Sequence, residues 1–140
     1  MTFEATLMIE TELPVSLTCD EATGILKGTS VKLADPATIS AAVSDEEMCG
    51  GIIGSEKIAS DGNTKAKVYR CGWFKVYASG AILAGQPVCN AGSGSFPNHF
   101  KLADASCSGS KTWGICMEDV ADQESFLMEL RPACNNNTYA

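Results

Sequence analysis

One histidine, His99, lies in the stretch Phe96-Pro97-Asn98-His99-Phe100, with Cys89 and Ser95 shortly before it. A thiol or hydroxyl activated by an imidazole also needs a third group to orient the ring. Nothing in the spacing supplies one, so a small hydrolase using Cys89 or Ser95 with His99 ranks third among the readings. The seven cysteines (Cys19, Cys49, Cys71, Cys89, Cys107, Cys116 and Cys134) never form C-x-x-C, and the paired ligands of a zinc site are missing. Their odd number, with no secretory leader, argues against a disulfide framework. The expectation is that most are small buried residues with free thiols. Asp45, Glu46 and Glu47 follow Ser44, the pattern of a capping box, and read as a solvated helical turn over 44–48. The run Ala91-Gly-Ser-Gly-Ser95 lacks the lysine of a phosphate loop. No catalytic residue, metal or cofactor is expected.

The elements that would position these residues are short strands. The chain has 140 residues, 13 Gly and 5 Pro, with 45% hydrophobic and 19% charged residues, the profile of one globular domain rich in turns. Its net charge of −7 repels phosphate backbones, so nucleic acid is not an expected partner. No apolar run reaches the roughly 18 residues of a membrane helix. The first residues carry three Glu and no basic cluster, which does not read as a secretory signal.

The sequence repeats itself. Gly24-Ile-Leu-Lys-Gly28-x-x-Val31 matches Ala81-Ile-Leu-Ala-Gly85-x-x-Val88, Lys32-Leu-Ala-Asp35 matches Lys101-Leu-Ala-Asp104, residues 50–56 match 113–119, and residues 66–70 match 127–131. The matches come in the same order, and the largest drift falls in a loop-like insertion over 89–100. Two similar β halves, about 24–78 and 81–132, follow, within a β domain over 21–132. Gly28, Gly85, Gly51 and Gly114 read as structural turn glycines, the first two open to positive φ and the other two beside matching apolar runs. Neither half has enough strands to bury its own apolar face, so the two must pack or close together. In 71–80, Trp73, Lys75 and Tyr77 share one face, and Phe74 and Val76 the other.

The ends stand outside the repeat. Residues 1–20 read as an extended arm whose Phe3, Leu7, Met8, Ile9, Leu13 and Pro14 could grip a partner's sheet edge; its later part reads equally as a first strand of the barrel. Residues 133–140 read as a flexible tail. The sequon at Asn136-Asn137-Thr138 is expected to be silent without a leader.

Together, Gly28-x-x-Val31-x-Leu33, the Gly50–Gly54 run GGIIG, RCGWFKV (70–76), GAILAGQPV (80–88) and WGICMED with FLMELRP near the end resemble the capsid decoration, or cement, proteins of tailed bacteriophages. The resemblance covers about residues 24–132. It implies a mainly β fold, a small β-barrel or β-tulip with at most short helical turns. It also implies a homotrimer on the outer surface of the virion capsid, made in the host cytoplasm and bound through its N-terminal arm to the major capsid protein. It implies no active site, no nucleic acid and no membrane. The alternative is a non-catalytic β module of a phage tail or fibre, recognising a ligand or carbohydrate through exposed Trp73, Tyr77 or Trp113.

Overall fold

The computed structural model describes residues 3–42, 47–93, 96–104, 107 and 111–133, and among them there are strands and no helix. In chain order the strands are β1 (Thr6–Ile9), β2 (Val15–Cys19), β3 (Ser30–Ala34), β4 (Thr38–Ala41), β5 (Cys49–Ile53), β6 (Lys65–Tyr69), β7 (Gly72–Ala78), β8 (Pro87–Asn90), β9 (His99–Leu102), β10 (Thr112–Cys116) and β11 (Ser125–Leu130). They form two closed barrels. The first closes in the order β2-β4-β3-β5-β6; the second runs β7-β11-β10-β8-β9 and back to β7, with β1 added on the side of β7. Closure pairs most of the sheet edges that would otherwise invite unwanted pairing.

The barrels share one wiring diagram. In each, the first strand runs parallel to the third and antiparallel to the fifth. The registers agree as well. Val31 lies opposite Ala41 and Gly51, and Val88, its counterpart, lies opposite Leu102 and Gly114. The isolated bridge Ile25–Lys57 has its twin in Ile82–Val120. The fold is therefore an all-β pair of small barrels built from two similar halves.

This wiring corrects two sequence expectations and decides a third, the two-way reading of the leader's later part. The halves are residues 15–69 and 72–130, not 24–78 and 81–132, because β2 and β7 are the equivalent first strands. Residues 15–19 are thus barrel staves, and the extended leader ends before them. The match of Lys32–Asp35 with Lys101–Asp104 joins strands that are not equivalent, since β3 corresponds to β8 and β4 to β9. Any half-exposed stave alternates polar and apolar residues, so short words recur out of place. The second half does carry a longer loop there: 91–98 connects β8 to β9, against 35–37 in the first half. The helical turn expected at 44–48 falls mostly outside the described residues, as do Ser95, Cys134 and the tail beyond Ala133.

The cores differ in size. The first barrel is filled by Ile25, Val31, Ile39, Ile53, Ala66, Val68 and Cys19. The second holds Phe74, Phe100, Trp113, Phe126, Met128 and Leu130, joined by Ala42, Cys49 and Ile52 from the first half. Each fully buried large side chain contributes about 1.5–3 kcal/mol, so the second half supplies most of the burial. β5 is buried at every residue, because it faces its own barrel on one side and β10 and its neighbours on the other.

Gly51 and Gly114 sit within β5 and β10 rather than in turns. A Cβ on Gly51 would lie 2.2 Å from the Tyr69 carbonyl oxygen, and one on Gly114 would lie 2.2 Å from that of Glu129. The adjoining strand passes too close for any side chain. Gly28 and Gly85 adopt φ of 79° and 90°, open to glycine at little steric cost.

Most of the cysteines are expected to be free thiols, and one pair is not: Cys89 of β8 is bonded to Cys107. Both are fully buried, with Ala103 beside them. The spacing carries no signal for this bond, since the two cysteines are 18 residues apart with β9 between them. Cys19, Cys71 and Cys116 are free. Burial pushes the thiols of Cys19, Cys71 and Cys116 up, away from the reactive thiolate.

Candidate docking surface

The leader is a strap laid across both barrels. β1 pairs antiparallel with β7 through Thr6–Lys75, Leu7–Phe74 and Ile9–Trp73, and β2 pairs antiparallel with β6 from Val15–Val68 to Thr18–Lys65. Since β6 runs into β7 with only Arg70 and Cys71 between, the leader and first stave follow that path backwards. At the crossing, Tyr69 Oη donates to Glu10 Oε2 at 2.8 Å. The negative acceptor holds the phenol above its ordinary pKa, with burial adding to the shift.

Asn98 fastens the strap to the junction of the barrels. Its Oδ1 accepts from the Ser30 N–H at 2.6 Å, and its Nδ2 donates to the Gly28 carbonyl at 2.6 Å and to the Phe3 carbonyl. One amide thus ties the β8–β9 loop, the entry to β3 and the N-terminal segment. Its φ of 61° suits asparagine better than most side chains. Ala5 N–H also donates to the Gly28 carbonyl at 2.9 Å. A Cβ on Gly28 would strike the Glu4 side chain at 2.3 Å, so the strap requires glycine here as much as the turn does.

Aromatic rings close the same corner. Phe3 meets Tyr77 and His99 edge-on at centroid distances of 5.0 and 4.8 Å, and Phe96 at 5.9 Å. His99 is buried with Nδ1 3.0 Å from the Pro97 carbonyl oxygen. Sequence reasoning singled out His99 and passed over its neighbour Asn98; an asparagine at the end of a loop, ready for positive φ, was the available signal.

Of the six leader residues singled out from the sequence, Phe3, Leu7 and Pro14 are half-buried in the protein's own fold. Met8 is 54% exposed, Ile9 50% and Leu13 78%. Val15, at the start of β2, is 44% exposed. An apolar row therefore remains open along the strap. Beside it a groove of about 240 Å³ runs between β1 and the first barrel, lined by Ala5, Leu7, Gly28, Ile53, Gly54, Tyr69 and others.

The residues with chemical potential do not converge. Cys89 is committed to its disulfide, so it is no nucleophile for His99, and Ser95 lies outside the described residues. Trp113 is fully buried, stacks edge-on against Phe100 and donates Nε1–H to the Glu47 carbonyl at 2.9 Å. It belongs to the core and not to a ligand platform, while Trp73 and Tyr77 are half-buried. Among the described residues no group of three or more His, Cys, Asp or Glu side chains could hold a metal.

A charged cluster with no counterpart among the described residues of the second half lies in the first. Lys57 occupies the position of Val120, yet its side chain is only 2% exposed. Its Nζ donates to the Glu21 and Ile58 carbonyls and to Asp61 Oδ1 at 2.7–2.9 Å, which meets the requirement that a buried ammonium be fully paired. The Lys57 hydrogen bond, helped by the Asn63 N–H, holds the Asp61 carboxyl down at about 2.

The arrangement suits recognition by shape, exposed apolar side chains and backbone edges. No family model matches the chain, and no curated protein matches it. Among solved structures, the chain is similar in fold to the head fiber gp8.5 N base of bacteriophage phi29, with a TM-score of 0.54 and 13% identity over 84% of this chain and 93% of that one.

Proposed function

We propose that this chain is a non-catalytic structural protein of a tailed bacteriophage, carried on the outside of the head and bound to the major capsid protein. The observation that carries the reading is the two-barrel fold, shared over nearly its whole length with the base of a head fiber. The exposed row Met8, Ile9, Leu13 and Val15 offers apolar area for an interface, for which a standard stable contact needs roughly 1,600 Å² in total. As a decoration protein it acts as a homotrimeric clamp across capsid subunits, and avidity among linked copies adds grip without new contacts.

A second reading is a fibre base, an anchor that holds a projecting fibre without strengthening the shell. It is favoured by the identity of the solved neighbour, itself described as a base. One experiment separates the two. Purified protein is mixed with mature heads that lack it, and the heads are sedimented and then heated. Co-sedimentation with a raised rupture temperature supports the clamp. Co-sedimentation with unchanged rupture supports the base. Absence from the pellet at saturating protein refutes both.

A further inference from the structure

Because the barrels share their pairings, each seat on one has a counterpart on the other, and the counterpart of the β1 seat is open. On the second barrel, the side of β7 away from β11 is divided: Tyr77 and Ala78 pair with β9, while Trp73, Phe74 and Lys75 pair with β1. On the first barrel, the side of β2 away from β6 pairs with β4 through Thr18 and Cys19 alone. Among the described residues, no strand pairs with its Pro14–Ser16 portion.

The backbone there points outward. Thr18 N–H bonds to the Ala37 carbonyl and Cys19 N–H to that of Thr64, on the β4 and β6 sides respectively. Alternation along a strand turns the Ser16 N–H and C=O to the Thr18 side, the open one. The counterpart of Ser16 is Lys75, which faces Thr6 of β1. The inward-facing Val15 stands where Phe74 stands in the second barrel. Phe74 lies opposite Leu7 and is 2% exposed, whereas Val15 is left half uncovered.

From this the occupant can be narrowed. Each chain has one β1 and two seats, so any exchange of β1 among copies still leaves one seat per chain unfilled. A strand other than β1 is therefore needed to fill it. We infer that the open edge of β2 is a β-augmentation site. An extended segment of a second structural protein lies antiparallel along 13–17, exchanges backbone hydrogen bonds with Ser16 and lays one apolar side chain over Val15. The identity of that second protein as a capsid component rests on the function proposed above.

The test uses the full chain, isotope-labelled, titrated with a peptide of residues 3–10 (FEATLMIE), the segment that contains the strand seated on the equivalent edge. The expected result at millimolar peptide is amide shift changes centred on 14–18 and slowed exchange of the Ser16 N–H. Val15→Asp should weaken binding by at least about tenfold, and Ser16→Pro should abolish it with the β7–β11 amides unchanged. The Val15 variant carries the test if the proline disturbs β2. Shift changes at 73–75 in place of 14–18, or no change at 14–18, overturn the site. With heads, Val15→Asp protein that sediments as well as the parent overturns the assignment of the partner while leaving head attachment intact. If the parent itself fails to sediment, the proposed function falls, and the peptide titration still decides whether the edge accepts a strand.

Discussion

Replacing Asn98 with alanine should cost the protein about 2.5–5 kcal/mol, and the structure shows where each part arises. The Ser30 N–H is buried with Asn98 Oδ1 as its acceptor; orphaning it costs about 1–3 kcal/mol. The Gly28 carbonyl loses one donor but keeps the Ala5 N–H, a loss of about 0.5–1 kcal/mol. Alanine at a φ of 61° adds about 1 kcal/mol, since the left-handed region crowds its Cβ. For a chain of this length the total lowers Tm by about 8–15 °C. The assay is urea unfolding followed by fluorescence of buried Trp113. Asn98→Gly should recover about 1 kcal/mol of the loss by relieving the backbone. Asn98→Asp gives a further signature. One oxygen still accepts from Ser30, but the other must face two carbonyls, so the neutral acid is favoured and the folded-state pKa rises. Stability held by a raised carboxyl is present below its unfolded pKa and lost as pH climbs through the folded one. This variant should therefore gain on the parent as pH falls from 7 towards 4. An alanine cost below about 1 kcal/mol, or a glycine variant no better than alanine, would refute the assignment of Asn98 as the fastening.

Four further outcomes are expected. Gly114→Ala, whose Cβ would sit 2.2 Å from the Glu129 oxygen, must push β10 from β11 and should lose about 3 kcal/mol or more in thermal melts; Gly62→Ala meets nothing nearby and should lose only about 1 kcal/mol for its φ. Reducing the Cys89–Cys107 bond, which closes a loop of 18 residues in sequence separation, should cost about 3 kcal/mol in denaturant, and peptide mapping of the unreduced chain should recover Cys89 linked to Cys107. The Asp61 carboxyl is held at about 2 against an ordinary 3.8, so its contribution is present above the ordinary value and lost as pH falls towards 2; Asp61→Asn should flatten that part of the acid unfolding curve. Tyr69 is shifted the other way, so its bond to Glu10 holds below pH 10 and fails as pH rises through the elevated value; amide exchange at residues 6–12 should accelerate there in the parent and show no such step in Tyr69→Phe.

The duplication was legible wherever backbone geometry forces a residue choice. Gly28 with Gly85, and Gly51 with Gly114, are true counterparts because turns and close strand approaches tolerate little else. The first staves were not legible as a pair. Val-Ser-Leu-Thr-Cys of β2 and Phe-Lys-Val-Tyr-Ala of β7 have different surroundings, one rim open and the other roofed by β1, so their side chains have diverged while their pairings have not. That is why the boundary between halves was read too late in the chain. The strap was recognised as an extended strand outside the repeat, but the sequence has no means of saying whose edge it pairs with. Asn98 and Lys57 escaped notice because their roles depend on groups brought together from distant parts of the chain.

The passage of β6 directly into β7, with the strap running backwards beside both, has a mechanical consequence. A pull that separates the two barrels along this axis stretches a single unbroken backbone path, with a second one antiparallel to it. Rows of lateral hydrogen bonds must then slide together before the halves part, whereas a peeling force would break them one by one. Resistance to a pull along this axis follows from that orientation of load.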